Sequence, residues 1–112
     1  MGAQNTSEHK MIVVYSTFPD ADSVMQIARI AVQKKLAACV NIIPQMTSVY
    51  EWQGAIETGS EVVALFKTRQ GCLEPLGKLI KEHHPYDTPV IFSITTDWVE
   101  AATHKWLLGG TT

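Results

Sequence analysis

Several features that would place this chain in a familiar class are scarce in its sequence. Two cysteines, Cys39 and Cys72, are too few for a disulfide framework and indicate reduced thiols in a cytoplasmic protein. No apolar run approaches the ~18 residues of a membrane span, so we expect no membrane partner. Lysine and arginine never cluster beyond Lys34–Lys35 and the net charge is −2, which argues against a nucleic-acid partner.

The motifs of common enzymes are absent as well. The sequence has no glycine-rich phosphate loop, no nucleophile–base spacing and no paired carboxylates. A hydrolytic corner of His83, Tyr86 and Asp87 is the one enzymatic alternative, and it lacks a positioned nucleophile. We therefore expect no catalytic activity. A length of 112 residues with 46% hydrophobic residues is typical of one globular domain.

The stretch from Leu36 to Thr68 predicts two long antiparallel strands joined by a tight turn. The extended segments are residues 36–43 and 47–52, separated by Pro44. A turn follows at Gln53–Gly54, and the chain returns through residues 55–57 and 61–67. Because strands usually have ~5–6 residues, the tip of this hairpin is expected to project from so small a domain. Tyr50 and Trp52 near the tip would then need a cover, and a neighbouring subunit is the simplest candidate.

The remaining elements follow from hydrophobic periodicity and capping residues. We predict a strand over Met11–Thr17, a helix capped by Asp20 and ending near Lys34, a helix from about Gly71 to His83 capped by Thr68 and stopped by Pro85, a strand over Thr88–Thr96, and a short helix opened by Asp97–Glu100 and closed by Gly109–Gly110. This order, β-α-β-β-α-β plus a short C-terminal helix, indicates an α+β ferredoxin-like domain over residues 11–108. Residues 1–10 are expected to form a flexible N-terminal tail and residues 109–112 a C-terminal tail.

Several motifs resemble the CutA divalent-cation-tolerance family over nearly all of residues 12–107. The matching motifs are Lys35-Leu-Ala-Ala-Cys-Val-Asn-Ile42, Pro44, Ser48-x-Tyr50-x-Trp52-x-Gly54, Lys67-Thr68 and His84-Pro85-Tyr86-x-x-Pro89. The resemblance implies a tight homotrimer similar to that of the P-II signalling proteins, with the long hairpins interleaved between subunits. It also implies a role in the response to metal ions, with copper as one bound ion, and no catalytic reaction.

The metal residues implied by the resemblance map to His83, His84 and Ser16, which occupies the position of the family's cysteine ligand. A hydroxyl is a poor ligand for a soft metal, so the sequence predicts weak binding of Cu(II) or another divalent cation. Adjacent histidines diverge by ~100° on a regular helix, so both could bind one metal only if the helix unwinds at Pro85. The alternative is therefore that His83 packs as a hydrogen-bonded core residue while His84 meets water or a neighbour.

Five further residues are candidates for an inter-subunit cleft, each with a structural alternative. They are Cys39, Tyr50, Trp52, Lys67 and Tyr86. Cys39 could equally be a small buried thiol, Tyr50 and Trp52 could be interface anchors, and Lys67 could bind an anion or extend from the sheet edge. Tyr86 either lines a pocket or belongs to a rigid proline corner. A competing hypothesis is thus a trimeric signalling or scaffold protein that binds a small anionic metabolite between subunits.

Overall fold

A computed structural model describes residues 7–112. The elements are β1 (Met11–Phe18), α1 (Ala21–Gln33), β2 (Cys39–Trp52), β3 (Ala55–Arg69), α2 (Leu73–His83), β4 (Ile91–Thr95) and α3 (Ala101–Gly109), with 3₁₀ turns at Ser7–His9 and Gln70–Cys72. The strands form one antiparallel sheet in the order β2-β3-β1-β4, so the predicted ferredoxin-like α+β topology is confirmed. No helix in this part of the chain is long and apolar enough to cross a membrane.

The core lies between one face of the sheet and the helices α1 and α2. Alternate residues of β1, among them Ile12, Val14 and Phe18, point to this face and are fully buried. The apolar stripe predicted for α1 is buried against them, and Asp20 caps this helix by accepting from Ser23 N at 2.8 Å. Both predictions for α1 are therefore confirmed.

The opposite side of the sheet, here called the open sheet face, carries apolar side chains that the helices α1 and α2 do not cover. Tyr15 of β1 stacks on Phe92 of β4 with ring centroids 4.8 Å apart. Phe92, Ile94 and Ile43 on this face are about half exposed in the single chain. A half-exposed apolar sheet surface of this kind is typical of a surface that another chain covers.

The long hairpin projects as predicted. Strand β1 ends at Phe18, opposite Val62, so the outer parts of β2 and β3 pair only with each other. We call residues 46–61 the projecting hairpin. It gives the molecule principal extents of 52 × 27 × 22 Å. Gln53 and Gly54 form its two-residue turn, both with positive φ.

Pro44 does not interrupt β2, contrary to the prediction. The strand runs through it with one extra residue between Ile43 and Met46, and Gln45 adopts a φ of 63°. This is a β-bulge, which accommodates a proline because the ladder is locally broken there. The strand also begins later than predicted, at Cys39, because Lys35 takes a φ of 57° at the end of α1 and Leu36–Ala38 serve as a connection.

Two predicted helix caps are wrong. Thr68 is buried within β3, where its Oγ1 donates to the carbonyl of Leu36 at 2.6 Å, so α2 begins only after a 3₁₀ turn. Asp97 does not cap α3; Glu100 does, accepting from Ala102 N and Thr103 N at 3.0 and 3.1 Å. These two amide hydrogen bonds, that of Ala102 first, lower the pKa of the Glu100 carboxyl. Strand β4 is also shorter than predicted, because residues 88–90 remain irregular.

Residues at both ends of the domain contact its body. Of the predicted N-terminal tail, residues 1–6 lie outside the described residues, while Lys10 O accepts from Gln70 N at 2.8 Å. In the predicted C-terminal tail, Thr111 is buried and accepts from Arg69 Nε at 3.2 Å. Most residues of 7–10 and 109–112 are exposed, and these two segments contact the domain through such hydrogen bonds and through the buried Thr111.

Candidate functional site

The candidate site is a corner of the chain between α2 and β4. Helix α2 ends at His83, and His84 has an extended backbone with a ψ of 136°, as expected for a residue before proline. This change of direction turns the His84 side chain toward the end of β1. Its ring stacks on Phe18 with centroids 4.3 Å apart and an interplanar angle of 18°. We call residues 84–86 the proline corner.

Both ring nitrogens of His84 are occupied by backbone groups. Nε2 lies 2.8 Å from Thr17 O, and Nδ1 lies 3.1 Å from Tyr86 N. Because the carbonyl only accepts and the amide only donates, Nε2 carries the proton and Nδ1 is the acceptor. Burial lowers the pKa of His84, although the hydrogen bond to Thr17 and the charge of Glu61 oppose the shift. His84 is therefore a neutral imidazole whose two nitrogens both form hydrogen bonds within the fold.

His83 has the opposite environment. Its side chain is exposed, and its Nδ1 donates to Leu79 O of the preceding turn at 3.1 Å. The sequence-based alternative that placed His83 in the core and His84 toward water is wrong, since the two positions are exchanged. This arrangement leaves Nε2 of His83 directed away from its intrahelical hydrogen bond, as the available imidazole nitrogen of the pair.

Ser16 is fully buried on β1. Its Oγ donates to Val90 O at 2.7 Å and so connects the start of β4 to the central strand. Within residues 7–112, no group of three or more His, Cys, Asp or Glu side chains is placed to hold a metal ion. Ser16, His83 and His84 therefore do not fit a closed metal-ligand set in this conformation, because Ser16 and His84 already use their polar atoms within the fold.

Tyr86 connects the proline corner to the projecting hairpin. Its hydroxyl donates to Glu61 Oε2 at 3.0 Å, and Ser48 Oγ donates to Glu61 Oε1 at 2.7 Å. The ring of Tyr86 lies 5.1 Å from that of His84. Burial, together with the hydrogen bond to Glu61 and its negative charge, raises the pKa of Tyr86 to about 12.

The other predicted cleft residues are not brought together within one subunit. Cys39 and Lys67 are partners across β2 and β3, near the end of the sheet opposite the hairpin tip. Tyr50 and Trp52 lie on the projecting hairpin and are exposed. Lys67 and the partner of Tyr50, Glu57, are separated along β3 by roughly 30 Å at the usual rise per residue. A site containing all of these residues would need more than one subunit.

Glu61 and Ser48 are the residues of this site that the sequence analysis missed. Glu61 directly precedes the apolar run of β3, where a charged side chain must lie at the limit of the buried region. This position in the sequence could have identified Glu61 as a candidate residue. Its partners Ser48 and Tyr86 could not be identified in advance, since they depend on the hairpin register and on the proline corner.

The sheet order, the two helices on one face and the projecting hairpin define a ferredoxin-like α+β protein with a hydrogen-bonded corner at the hairpin base. Residues 12–109 match the family of the CutA1 divalent ion tolerance protein. The chain belongs to this family, and the resemblance found in the sequence is confirmed.

Relatives in plants and archaea share most of the chain. A chloroplastic CutA protein of Arabidopsis thaliana is 41% identical over 100 residues, covering 89% of this chain and 55% of the plant protein. The chain thus spans about half the length of that relative. A divalent-cation tolerance protein CutA of Pyrococcus horikoshii is 42% identical over 98 residues, covering 88% and 95% of the two chains. The crystal structure of CutA1 from Oryza sativa has a TM-score of 0.88 at 34% identity, covering 96% and 98%.

Proposed function

We propose that this chain acts as a non-enzymatic, homotrimeric divalent-cation-tolerance protein of the cytoplasm. The main support for a trimer is the projecting hairpin, on which Trp52 and Ile56 are 63% and 74% exposed. A two-stranded ribbon is marginally stable alone, and large apolar side chains on it are stabilised when other subunits cover them. The open sheet face offers a second apolar surface for the same association.

The proposal includes weak binding of copper or another divalent cation, in keeping with the family description. His83 supports it, because this exposed imidazole has Nε2 available while Nδ1 bonds to Leu79. A single imidazole leaves most of the coordination sphere to water, so the affinity is low. Cu(II) should bind more tightly than Zn(II), following the general order of metal affinities for nitrogen ligands.

Calorimetric titration with Cu(II) and Zn(II) tests this metal role. We expect weak heats in the wild type that a His83→Ala variant abolishes and that a His84→Ala variant retains. The two variants form a matched pair, because the same change is made at adjacent positions in opposite environments. Tight binding of one metal per subunit that His84→Ala removes would contradict the proposal, since the proline corner would then have to open to bind metal.

A second candidate function is the binding of a small anionic metabolite between subunits. Lys67 lies far from Tyr50 and Trp52 within one chain, so these residues could form one binding site only between associated chains. This arrangement is the only observation that favours the candidate. A thermal-shift screen of anionic metabolites would distinguish this candidate, because a ligand selective for the native state raises the melting temperature. A shift in wild type that is lost in Lys67→Ala would favour the metabolite over the metal.

A further inference from the structure

The projecting hairpin requires a support at its base. Beyond Val62 it has lost the pairing with β1, and an isolated two-stranded ribbon has little stability of its own. The ladder is also broken at that level by the bulge between Ile43 and Met46. A bulge bends its strand, so backbone pairing alone does not fix the direction in which the hairpin leaves the sheet.

Glu61 lies at this point and accepts hydrogen bonds from two different elements. Met46, the first residue after the bulge, is its partner across the ribbon. Its two carboxylate oxygens accept from Ser48 of the outgoing strand and from Tyr86 of the proline corner. Hydrogen bonds to a charged acceptor are stronger than neutral ones, which suits a carboxylate to hold two hydroxyl groups.

The proline corner is itself held on the body of the domain. His84 donates to Thr17 O, accepts from Tyr86 N and stacks on Phe18 at the end of β1. The contacts therefore run without a gap from the last residues of β1 through His84 and Tyr86 to Glu61 and the hairpin. Polar groups connected in this way hold one another in place.

We propose that Glu61 and Tyr86 form a tether that fixes the projecting hairpin to the proline corner and sets its direction. The tether replaces the support that β1 gives to the inner part of β3. A hairpin held in one direction loses less conformational freedom when a neighbouring subunit binds it. This consequence for assembly rests on the proposed trimer. The tether itself is a feature of one chain.

Amide hydrogen exchange on the full chain tests the tether directly. Tyr86→Phe removes only the hydroxyl, and Glu61→Gln keeps the side-chain size but removes the charge. We expect each variant to speed exchange of the hairpin amides, residues 46–61, by about tenfold, with the β1–β3 amides unchanged. Thr58→Val is the matched control, since it deletes an exposed hydroxyl on the same hairpin with little change of shape and should leave exchange as in wild type.

The double variant Tyr86→Phe/Glu61→Gln distinguishes the loss of a shared interaction from two independent destabilising effects. If the two groups act on each other, the double variant exchanges no faster than either single variant. Additive effects, or equal exchange in Tyr86→Phe and Thr58→Val, would overturn the tether. A mass measurement on each sample separates this result from the proposed function: a monomeric wild type would refute the trimer while leaving the exchange comparison valid.

Discussion

His83 and His84 are neighbours in the chain, yet the end of α2 separates their environments. The sequence-based expectation extended the helical rotation of ~100° per residue through both positions. The helix ends at His83, as predicted, and the extended backbone before Pro85 then carries His84 back to Phe18. The proline signal was present in the sequence, but the face to which His84 turns depends on where β1 ends.

The neutral state of His84 predicts a dependence of stability on pH. Its pKa is lowered below the ordinary value of 6.5, so the unfolded chain binds more protons as the pH falls below that value. Its contribution to the free energy of unfolding is therefore complete above about pH 6.5 and declines as the pH falls below it. Urea unfolding across this range should show a steeper loss in wild type than in His84→Gln.

A control for this prediction is His83→Gln, which changes the exposed neighbour. We expect this variant to retain the steep loss of the wild type, because the hydrogen bonds and ring contact of His84 are intact in it. An identical pH dependence in wild type and His84→Gln would contradict the assignment of a neutral, buried imidazole at position 84.

Helix and strand features that depend on residues close in sequence were predictable, whereas those that depend on residues far along the chain were not. The apolar stripe of α1 and its cap Asp20 depend on residues within one helix, and both predictions are confirmed. Thr68 could not be assigned from its neighbours, because its role depends on Leu36 and on the pairing of β3 with Ile12. The capping-box spacing from Asp97 to Glu100 was likewise misleading, because the helix begins three residues later and Glu100 itself is the cap.

The hairpin turn gives a prediction at the scale of one element. Gln53 and Gly54 have φ of 50° and 82°, which is the pattern of a type I′ turn. Since a Cβ at Gly54 would contact nothing within 4 Å, only backbone strain opposes a side chain there. Gly54→Ala should destabilise by about 1 kcal/mol, and Gln53→Asn should stabilise by a few tenths of that, as measured by urea unfolding.

A reversed order of these two variants would contradict the turn assignment. Gly59→Ala provides a comparison within the same hairpin, because this glycine has an ordinary backbone and a Cβ there would only touch the Tyr50 ring at normal contact distances. Its effect should be smaller than that of Gly54→Ala, since no left-handed conformation is involved.

At the scale of the whole molecule, one subunit leaves two apolar surfaces unsatisfied. The projecting hairpin exposes Trp52 and Ile56, and the open sheet face exposes Phe92 and Ile94. The length of the hairpin was predictable from its extended sequence. The open sheet face was not, because it emerges only when the register of β1 with β3 and β4 is known. Both surfaces are explained if the functional unit is a trimer, as we propose.

Sedimentation equilibrium of the wild-type chain at micromolar concentration tests this central proposal most directly. We predict a single species with about three times the chain mass of 12.4 kDa, because association covers the hairpin and the open sheet face together. A species of 12.4 kDa with no larger form would contradict the trimer and leave the exposed hairpin without an explanation.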